Sequence, residues 1–183
     1  ETRGVPVHPA PLVGALGQGE DVSRFSSSAL HQEGNLGFVL RPSAVRGAGL
    51  VWVAFDTPVD DDDRSDPGFV LSRVEATYPD LEDGAVVLVS SQLPVGSTRG
   101  LEERFAAVVA GRTVSFAYSP ENLRLGQAVA DFKAPSRLVI GVRDERARRV
   151  IEPVVGRFTD NLMWMSVESA EMTKHALNAF LAG

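Results

Sequence analysis

The chain has 183 residues and a formal net charge of −6, with 44% hydrophobic and 23% charged residues. These values suit one globular domain, or one domain and part of another. The negative charge argues against nucleic acid as the main partner. Without cysteine, these residues contain no disulfide, thiolate metal site or cysteine nucleophile. No apolar run approaches the roughly 20 residues that span a bilayer, and no signal segment is evident, so a cytoplasmic location without a membrane partner is expected.

The first 36 residues give few structural signals. Pro6, Pro9 and Pro11 interrupt regular structure, a short helix is predicted at Leu12–Leu16, and a short strand is predicted at Gly37–Leu40. From residue 50 onward, apolar strands alternate with helical segments. The strands are predicted at Leu50–Phe55, Ala85–Val89, Thr113–Tyr118, Leu138–Val142 and Leu162–Ser166.

Helix start signals follow several of these strands. Asp66 and Pro67 form an N-cap and N1 pair for a helix to about Tyr78, and Asp144 caps a helix to about Phe158. Ser97 or Thr98 is expected to cap a helix through Leu101–Ala110. Apolar strands that alternate with helices indicate an α/β fold with a doubly wound parallel sheet, which binds ligands at the carboxyl ends of its strands.

The last stretch reads as one helix, capped by Ser166 or Ser169, with Glu168 and Glu171 in the first turn complementing its own free N–H groups. Lys174 and Asn178 are four residues apart, so they share a face and could bind one substrate oxygen between them. A solvated lysine and a surface amide are the alternative. Apolar residues at helical spacing predict the buried side: Met172, Ala176, Leu177, Phe180 and Leu181.

Four ordered blocks, at 90–98, 119–126, 131–141 and 170–182, resemble the UDP-glucose/GDP-mannose dehydrogenase family. The first three read SSQLPVGST, SPENLRLG and DFKAPSRLVIG, and the last contains the Lys174 and Asn178 pair. The resemblance implies that residues 1–165 form the later part of a Rossmann-like NAD-binding domain and that 166–183 begin a long central helix. The first βαβ unit with its glycine loop would precede these residues, since no Gly-x-Gly-x-x-Gly occurs here.

The resemblance also implies a set of site residues. NAD would lie against the turn at residues 55–58, which follows the first main strand, and against residues 91–92, which follow the next strand. Gln92 stands where the family usually has threonine. Glu121 would handle protons or a water, and Lys174 with Asn178 would stabilise negative charge on the reacting oxygen. Leu125 replaces a family glutamate. The expected cofactor residues are Phe55, Asp56, Thr57, Pro58, Ser91 and Gln92, and the expected substrate residues are Glu121, Asn122, Leu123, Arg124, Lys174 and Asn178.

The implied reaction is the NAD-dependent oxidation of a nucleotide sugar, UDP-glucose first among them, to the uronate by two successive hydride transfers. The family's cysteine thiolate would lie beyond Gly183, so these residues alone are expected to be inactive, and the full-length protein is expected to be a homodimer. A hydroxyacid-type dehydrogenase of the same wider architecture and a non-catalytic α/β binding module are the alternatives. No metal is expected, because the acidic run Asp60–Asp63 reads as a solvated loop.

Overall fold

The computed structural model describes residues 12–15, 36–39, 41–62, 64–121 and 126–182, and for 12–15, 36–39, 178, 181 and 182 it describes the backbone alone. The predicted substrate residues Asn122, Leu123 and Arg124, together with Leu125, lie outside these ranges.

A small two-stranded sheet comes first in the chain. Strand β1 (Leu12–Ala15) pairs in parallel with β2 (Leu36–Val39), so the predicted short helix at Leu12–Leu16 is wrong. Val13 is β-branched and Gly14 is a poor helix residue, whereas pairing with β2 supplies ladder partners for the backbone. The strand predicted at Gly37–Leu40 is confirmed and begins one residue earlier.

In the part of the chain that the structure describes, the main sheet has five strands in sequence order. They are β3 (Leu50–Val53), β4 (Val86–Val89), β5 (Ser115–Tyr118), β6 (Leu138–Gly141) and β7 (Leu162–Met165). Strands β3, β4 and β5 are parallel to one another, as are β6 and β7, while β5 meets β6 at a single antiparallel pair of Tyr118 with Gly141. The predicted α/β fold with a mostly parallel sheet is confirmed.

Within the described ranges, five α-helices connect or follow these strands. They are α1 (Pro67–Glu75), α2 (Ser97–Val108), α3 (Ala128–Lys133), α4 (Glu145–Val155) and α5 (Val167–Ala182). Two predicted caps are confirmed: Asp66 accepts a hydrogen bond from the Phe69 N–H at 3.2 Å, and Asp144 accepts one from the Ala147 N–H at 2.7 Å. Ser166 caps α5, because its Oγ accepts from the Ser169 N–H at 3.2 Å.

Both faces of the sheet are covered, as the apolar strands predicted. Val87 and Val89 of β4 belong to a buried cluster that includes residues of α1, α2 and α5. Val86 and Leu88, which alternate with them, belong to a second cluster that includes residues of α4. This alternation follows from the two-residue period of a strand.

The predicted buried side of α5 is wrong. Met172 is 50% exposed, Leu177 is 40% exposed and Phe180 is 82% exposed. Ala176 is also exposed, and the Leu181 side chain lies outside the described part. The buried residues are instead Val167, Ala170 and Glu171, which lie in the first two turns of α5, and this helix contacts strands β6 and β5.

Gly141, the last residue of β6, makes this close packing possible. A Cβ at this position would lie 2.7 Å from the Ala170 Cβ and 2.7 Å from the Val167 Cα. The helix therefore sits where only a glycine leaves room for it. Among the described residues, no helix is both long and apolar enough to cross a membrane.

Candidate active site

The carboxyl ends of β3, β4 and β5 lie side by side. Val53, Val89 and Tyr118 are paired in register, so the segments that follow the three strands leave the sheet at one edge. These segments contain the predicted residues 55–58, 91–92 and 121. Ligands of open parallel sheets bind at this kind of edge.

The structure brings Lys174 and Glu121 together across this edge. The Lys174 Nζ donates to the Glu121 Oε2 at 3.0 Å and to the Glu121 carbonyl oxygen at 2.6 Å. The Lys174 side chain is 16% exposed, so its ammonium is largely shielded from water. Asn178 follows one helical turn later in α5, and its side chain is outside the described part of the chain.

The two predicted cofactor segments are hydrogen-bonded to each other. The Thr57 hydroxyl donates to the Gln92 carbonyl oxygen at 2.7 Å, and the Ser91 hydroxyl donates to the Phe55 carbonyl oxygen at 2.6 Å. Asp56, Pro58 and Gln92 are exposed at this edge, whereas Ser91 is buried. The polar groups of these segments therefore form one continuous rim.

Phe55 contributes to this rim through its backbone. Its ring packs edge-on against the Phe69 ring, with 6.5 Å between the centroids, and the Arg73 guanidinium lies 5.9 Å from the Phe55 ring centroid. The side chain is thus directed to the packing between β3 and α1. The Phe55 carbonyl is the atom that takes part in the hydrogen bonding at the edge.

Tyr118 contacts one of the two predicted cofactor segments and was not singled out from the sequence. Its hydroxyl donates to the Ser91 carbonyl oxygen at 3.1 Å, and the residue is 1% exposed. Burial raises the pKa of Tyr118 to about 12, so the phenol remains a donor at neutral pH. The only sequence signal was its place as the last residue of an apolar strand.

Glu171 was predicted to complement the free N–H groups of its own helix, and this prediction is wrong. The residue is fully buried and bonds another helix. Its carboxylate accepts from the Gly96 N–H at 2.6 Å and from the Thr98 N–H at 2.9 Å, at the start of α2. The prediction that Ser97 or Thr98 caps α2 is also wrong. The N-cap is Gly96, whose φ of 93° lies in the left-handed region and which has no side chain, so a residue of α5 supplies the acceptor.

His175 makes a second contact from α5 to the segment after β4. Its Nε2 lies 3.1 Å from the Leu93 carbonyl oxygen, which can only accept, so this nitrogen carries the proton. Lys174 and His175 each lie three or four residues from both Glu171 and Asn178, so the four residues share one helix face. That polar stripe is the signal that could have identified Glu171 and His175.

The acidic run after β3 forms a local turn. The Asp60 carboxylate accepts from the backbone N–H groups of Asp62 and Arg64, at 3.0 and 2.9 Å, and pairs with the Arg64 side chain at 3.0 Å. Within the described ranges, no group of three or more acidic, histidine or cysteine side chains could hold a metal ion.

Residues 25–159 match the model of the NAD-binding domain of the UDP-glucose/GDP-mannose dehydrogenase family. A UDP-glucose 6-dehydrogenase of Pseudomonas aeruginosa is 30% identical over 185 residues, which cover 97% of this chain and 39% of that protein. Its counterpart in Rhizobium meliloti is 34% identical over 146 residues, which cover 76% of this chain and 33% of that protein. The chain thus spans less than half of these relatives.

Solved structures agree with this assignment. A UDP-glucose dehydrogenase from the archaeon Pyrobaculum islandicum has a TM-score of 0.72 and 32% identity, covering 85% of this chain and 37% of that chain. A GDP-mannose dehydrogenase from Pseudomonas aeruginosa also has a TM-score of 0.72, at 23% identity, covering 85% of this chain and 37% of that chain, and it supports the fold alone. The chain therefore belongs to the UDP-glucose/GDP-mannose dehydrogenase family of NAD-dependent nucleotide-sugar dehydrogenases, which confirms both the predicted family and the predicted cofactor, NAD.

Proposed function

We propose that the protein containing this chain oxidises a nucleotide sugar to the corresponding uronate with two NAD. The proposed substrate is UDP-glucose. The contact between Lys174 and Glu121 at the edge of the sheet carries this proposal. It joins a cation and a carboxylate next to the rim formed by residues 55–58 and 91–92. The similarity to UDP-glucose 6-dehydrogenases supports the choice of sugar.

Lys174 stabilises the negative charge that develops on the reacting oxygen. An ammonium group is most effective when it is held in place before the reaction and shielded from water. Both conditions hold for Lys174, which is 16% exposed and bonded to two oxygens of Glu121. Asn178, one turn later on the same face, adds an amide donor to the same oxygen.

Glu121 handles the proton or the water. Its side chain is 38% exposed and one of its carboxylate oxygens bonds Lys174, so the residue lies between the lysine and solvent. Oxidation of the primary alcohol to the aldehyde releases a hydride and a proton. Oxidation of the aldehyde to the acid consumes one water and releases a second hydride and a second proton. A positioned carboxylate assists both proton movements.

The rim of residues 55–58 and 91–92 suits the nicotinamide side of NAD. It presents exposed polar groups at Asp56 and Gln92, and open space lies beside Gly96, where a Cβ would meet no atom within 4 Å. NAD bound there would supply the hydride acceptor. The sequence has no Gly-x-Gly-x-x-Gly loop for the pyrophosphate, so these residues would hold one part of the cofactor.

Several further expectations belong to the full-length protein and stay predictions. They are a cysteine thiolate that holds the aldehyde, a homodimer formed through the central helices, a cytoplasmic location and a role in supplying uronates for polysaccharide synthesis. Asn122, Leu123 and Arg124 stay predicted substrate residues.

Reaction stoichiometry tests the proposal. The full-length protein should reduce two NAD for each UDP-glucose consumed and should yield a uronate, measured by NADH absorbance and mass spectrometry. GDP-mannose and UDP-N-acetylmannosamine serve as competing substrates. One NADH per substrate with a hydroxyacid, and none with a nucleotide sugar, would instead support the hydroxyacid-type alternative.

A further inference from the structure

Glu171 is a buried carboxylate whose only described partners belong to another element. Its side chain is fully buried, and its two oxygens accept from Gly96 and Thr98, more than 70 residues earlier in the chain. A buried charge is costly unless it is hydrogen-bonded and compensated. Two backbone donors and the positive end of α2 provide that compensation.

This contact connects the two sides of the proposed site. Gly96 ends the loop 91–96, which begins at the cofactor rim, and Glu171 lies one turn before Lys174 on the same face of α5. His175, directly after Lys174, contacts the Leu93 carbonyl oxygen of the same loop at 3.1 Å. The helix is therefore bonded to this loop on both sides of Lys174.

The rest of the loop is anchored to the sheet. Tyr118 donates to the Ser91 carbonyl oxygen, and Thr57 donates to the Gln92 carbonyl oxygen. The first residues of the loop thus follow the strand ends, and its last residue follows α5 through Glu171. Moving α5 relative to the sheet would have to stretch the loop or break the carboxylate contact.

We propose that Glu171 is a positioning residue, whose carboxylate fixes the distance between the loop on the cofactor side and the helix that carries Lys174. This role rests on the proposed function, because it matters only if hydride transfer occurs between the two. It also means that the amino end of α2 is occupied by the protein's own carboxylate and does not receive a substrate phosphate.

Glu168 provides a matched control. It lies three residues before Glu171 in α5 and also connects to α2, through an ion pair with Arg99 at 2.6 Å. Its side chain is 28% exposed, and its other partner, Arg143, lies on the surface of the molecule. A general loosening of α5 from α2 should affect both variants, whereas loss of alignment should affect only Glu171→Gln.

The test compares Glu171→Gln and Glu168→Gln in the full-length protein, using UDP-glucose deuterated at carbon 6. In Glu171→Gln, one of the two backbone donors faces an amide nitrogen and loses its acceptor. We expect kcat to fall by about tenfold to a hundredfold, as misplacement by an ångström can cause. The Michaelis constant for UDP-glucose should stay unchanged, and the deuterium isotope effect on kcat should rise. A fall in kcat with an unchanged isotope effect, or the same changes in Glu168→Gln, would overturn the proposal.

Hydrogen exchange gives a readout that does not depend on turnover. In Glu171→Gln, exchange should accelerate at Gly96 and Thr98 and also at Ser90, whose N–H donates to the Val53 carbonyl oxygen at the cofactor-side start of the loop. Acceleration confined to Gly96 and Thr98 would mean a local cap and would overturn the positioning role. Wild-type protein without activity on any nucleotide sugar would overturn the proposed function, while the exchange result would still decide the role of Glu171.

A second variant tests the proposal if Glu171→Gln folds poorly. His175→Ala removes the second described bond from α5 to the loop and leaves the buried carboxylate in place. It should also lower kcat and raise the isotope effect. If His175→Ala leaves both at the wild-type values, the loop does not need its bonds to α5, and the proposal is wrong.

Discussion

Replacing Gly141 with alanine should displace the helix that carries Lys174. The added Cβ would lie 2.7 Å from the Ala170 Cβ, 2.7 Å from the Val167 Cα and 3.0 Å from the Ser166 carbonyl oxygen. Carbon atoms in contact are about 3.5–4.0 Å apart, so the two elements must separate by roughly 1 Å. Backbone atoms are among those contacted, and a rotamer change cannot relieve them.

Two effects of that displacement are measurable. Overpacking of this kind costs about 1–3 kcal/mol in the free energy of unfolding. A shift of about 1 Å at Lys174 would lower kcat by up to roughly a hundredfold. Urea denaturation and initial-rate kinetics on the full-length protein measure the two effects separately.

Gly49→Ala is the matched control, because a Cβ there would meet no atom within 4 Å. The double variant with Ala170→Gly should recover part of the loss, since it removes one contact and leaves the contact to Val167. Wild-type stability and kcat in Gly141→Ala would refute the close seating of α5 on β6. Equal losses in Gly49→Ala would refute the steric explanation.

Three other predictions follow from the site and its surroundings. Lys174→Ala should lower kcat by about 10²–10³-fold, while NAD affinity, measured by calorimetry, stays nearly intact. Near wild-type turnover would make Lys174 an ordinary surface lysine. Glu121→Gln should slow release of the acid more than the first hydride transfer in single-turnover kinetics, because the amide cannot accept a proton. If the rates of both steps are unchanged, Glu121 takes no part in the chemistry. Hydrogen bonds from Arg143, the backbone and Arg99 lower the pKa of Glu168 from 4.5 to about 2. Because folding lowers this pKa, wild type should be more stable than Glu168→Gln, with the full difference above about pH 4.5 and none toward about pH 2. A stability difference that grows in acid would contradict this prediction.

The sequence predicted those parts of the fold that depend on neighbouring residues. The apolar run of β4 and the caps at Asp66 and Asp144 were identified because strand burial and capping are decided within a few residues. Strand β1 was missed because its partner lies at Leu36–Val39, and a short apolar run alone does not distinguish helix from strand.

The candidate site was predictable only in part, for the same reason. Lys174 was singled out by its helical spacing to Asn178 and by family resemblance, and Glu121 by the resemblance alone. The structure brings the two together although they are 53 residues apart. Glu171 was assigned to its own helix, because spacing rules reach only one turn along the chain. Its actual partners at Gly96 and Thr98 are decided by how α5 and α2 pack.

The two sides of α5 explain why apolar spacing gave the wrong face. The face toward the sheet begins with Val167 and Ala170, where the helix packs on β6, and continues as Glu171, Lys174 and His175, where it contacts the loop segments beyond the strand ends. Burial of apolar residues stabilises the first part, and hydrogen bonds orient the second. The apolar part of this face therefore makes the packing contact, and the polar part carries the residues of the proposed chemistry.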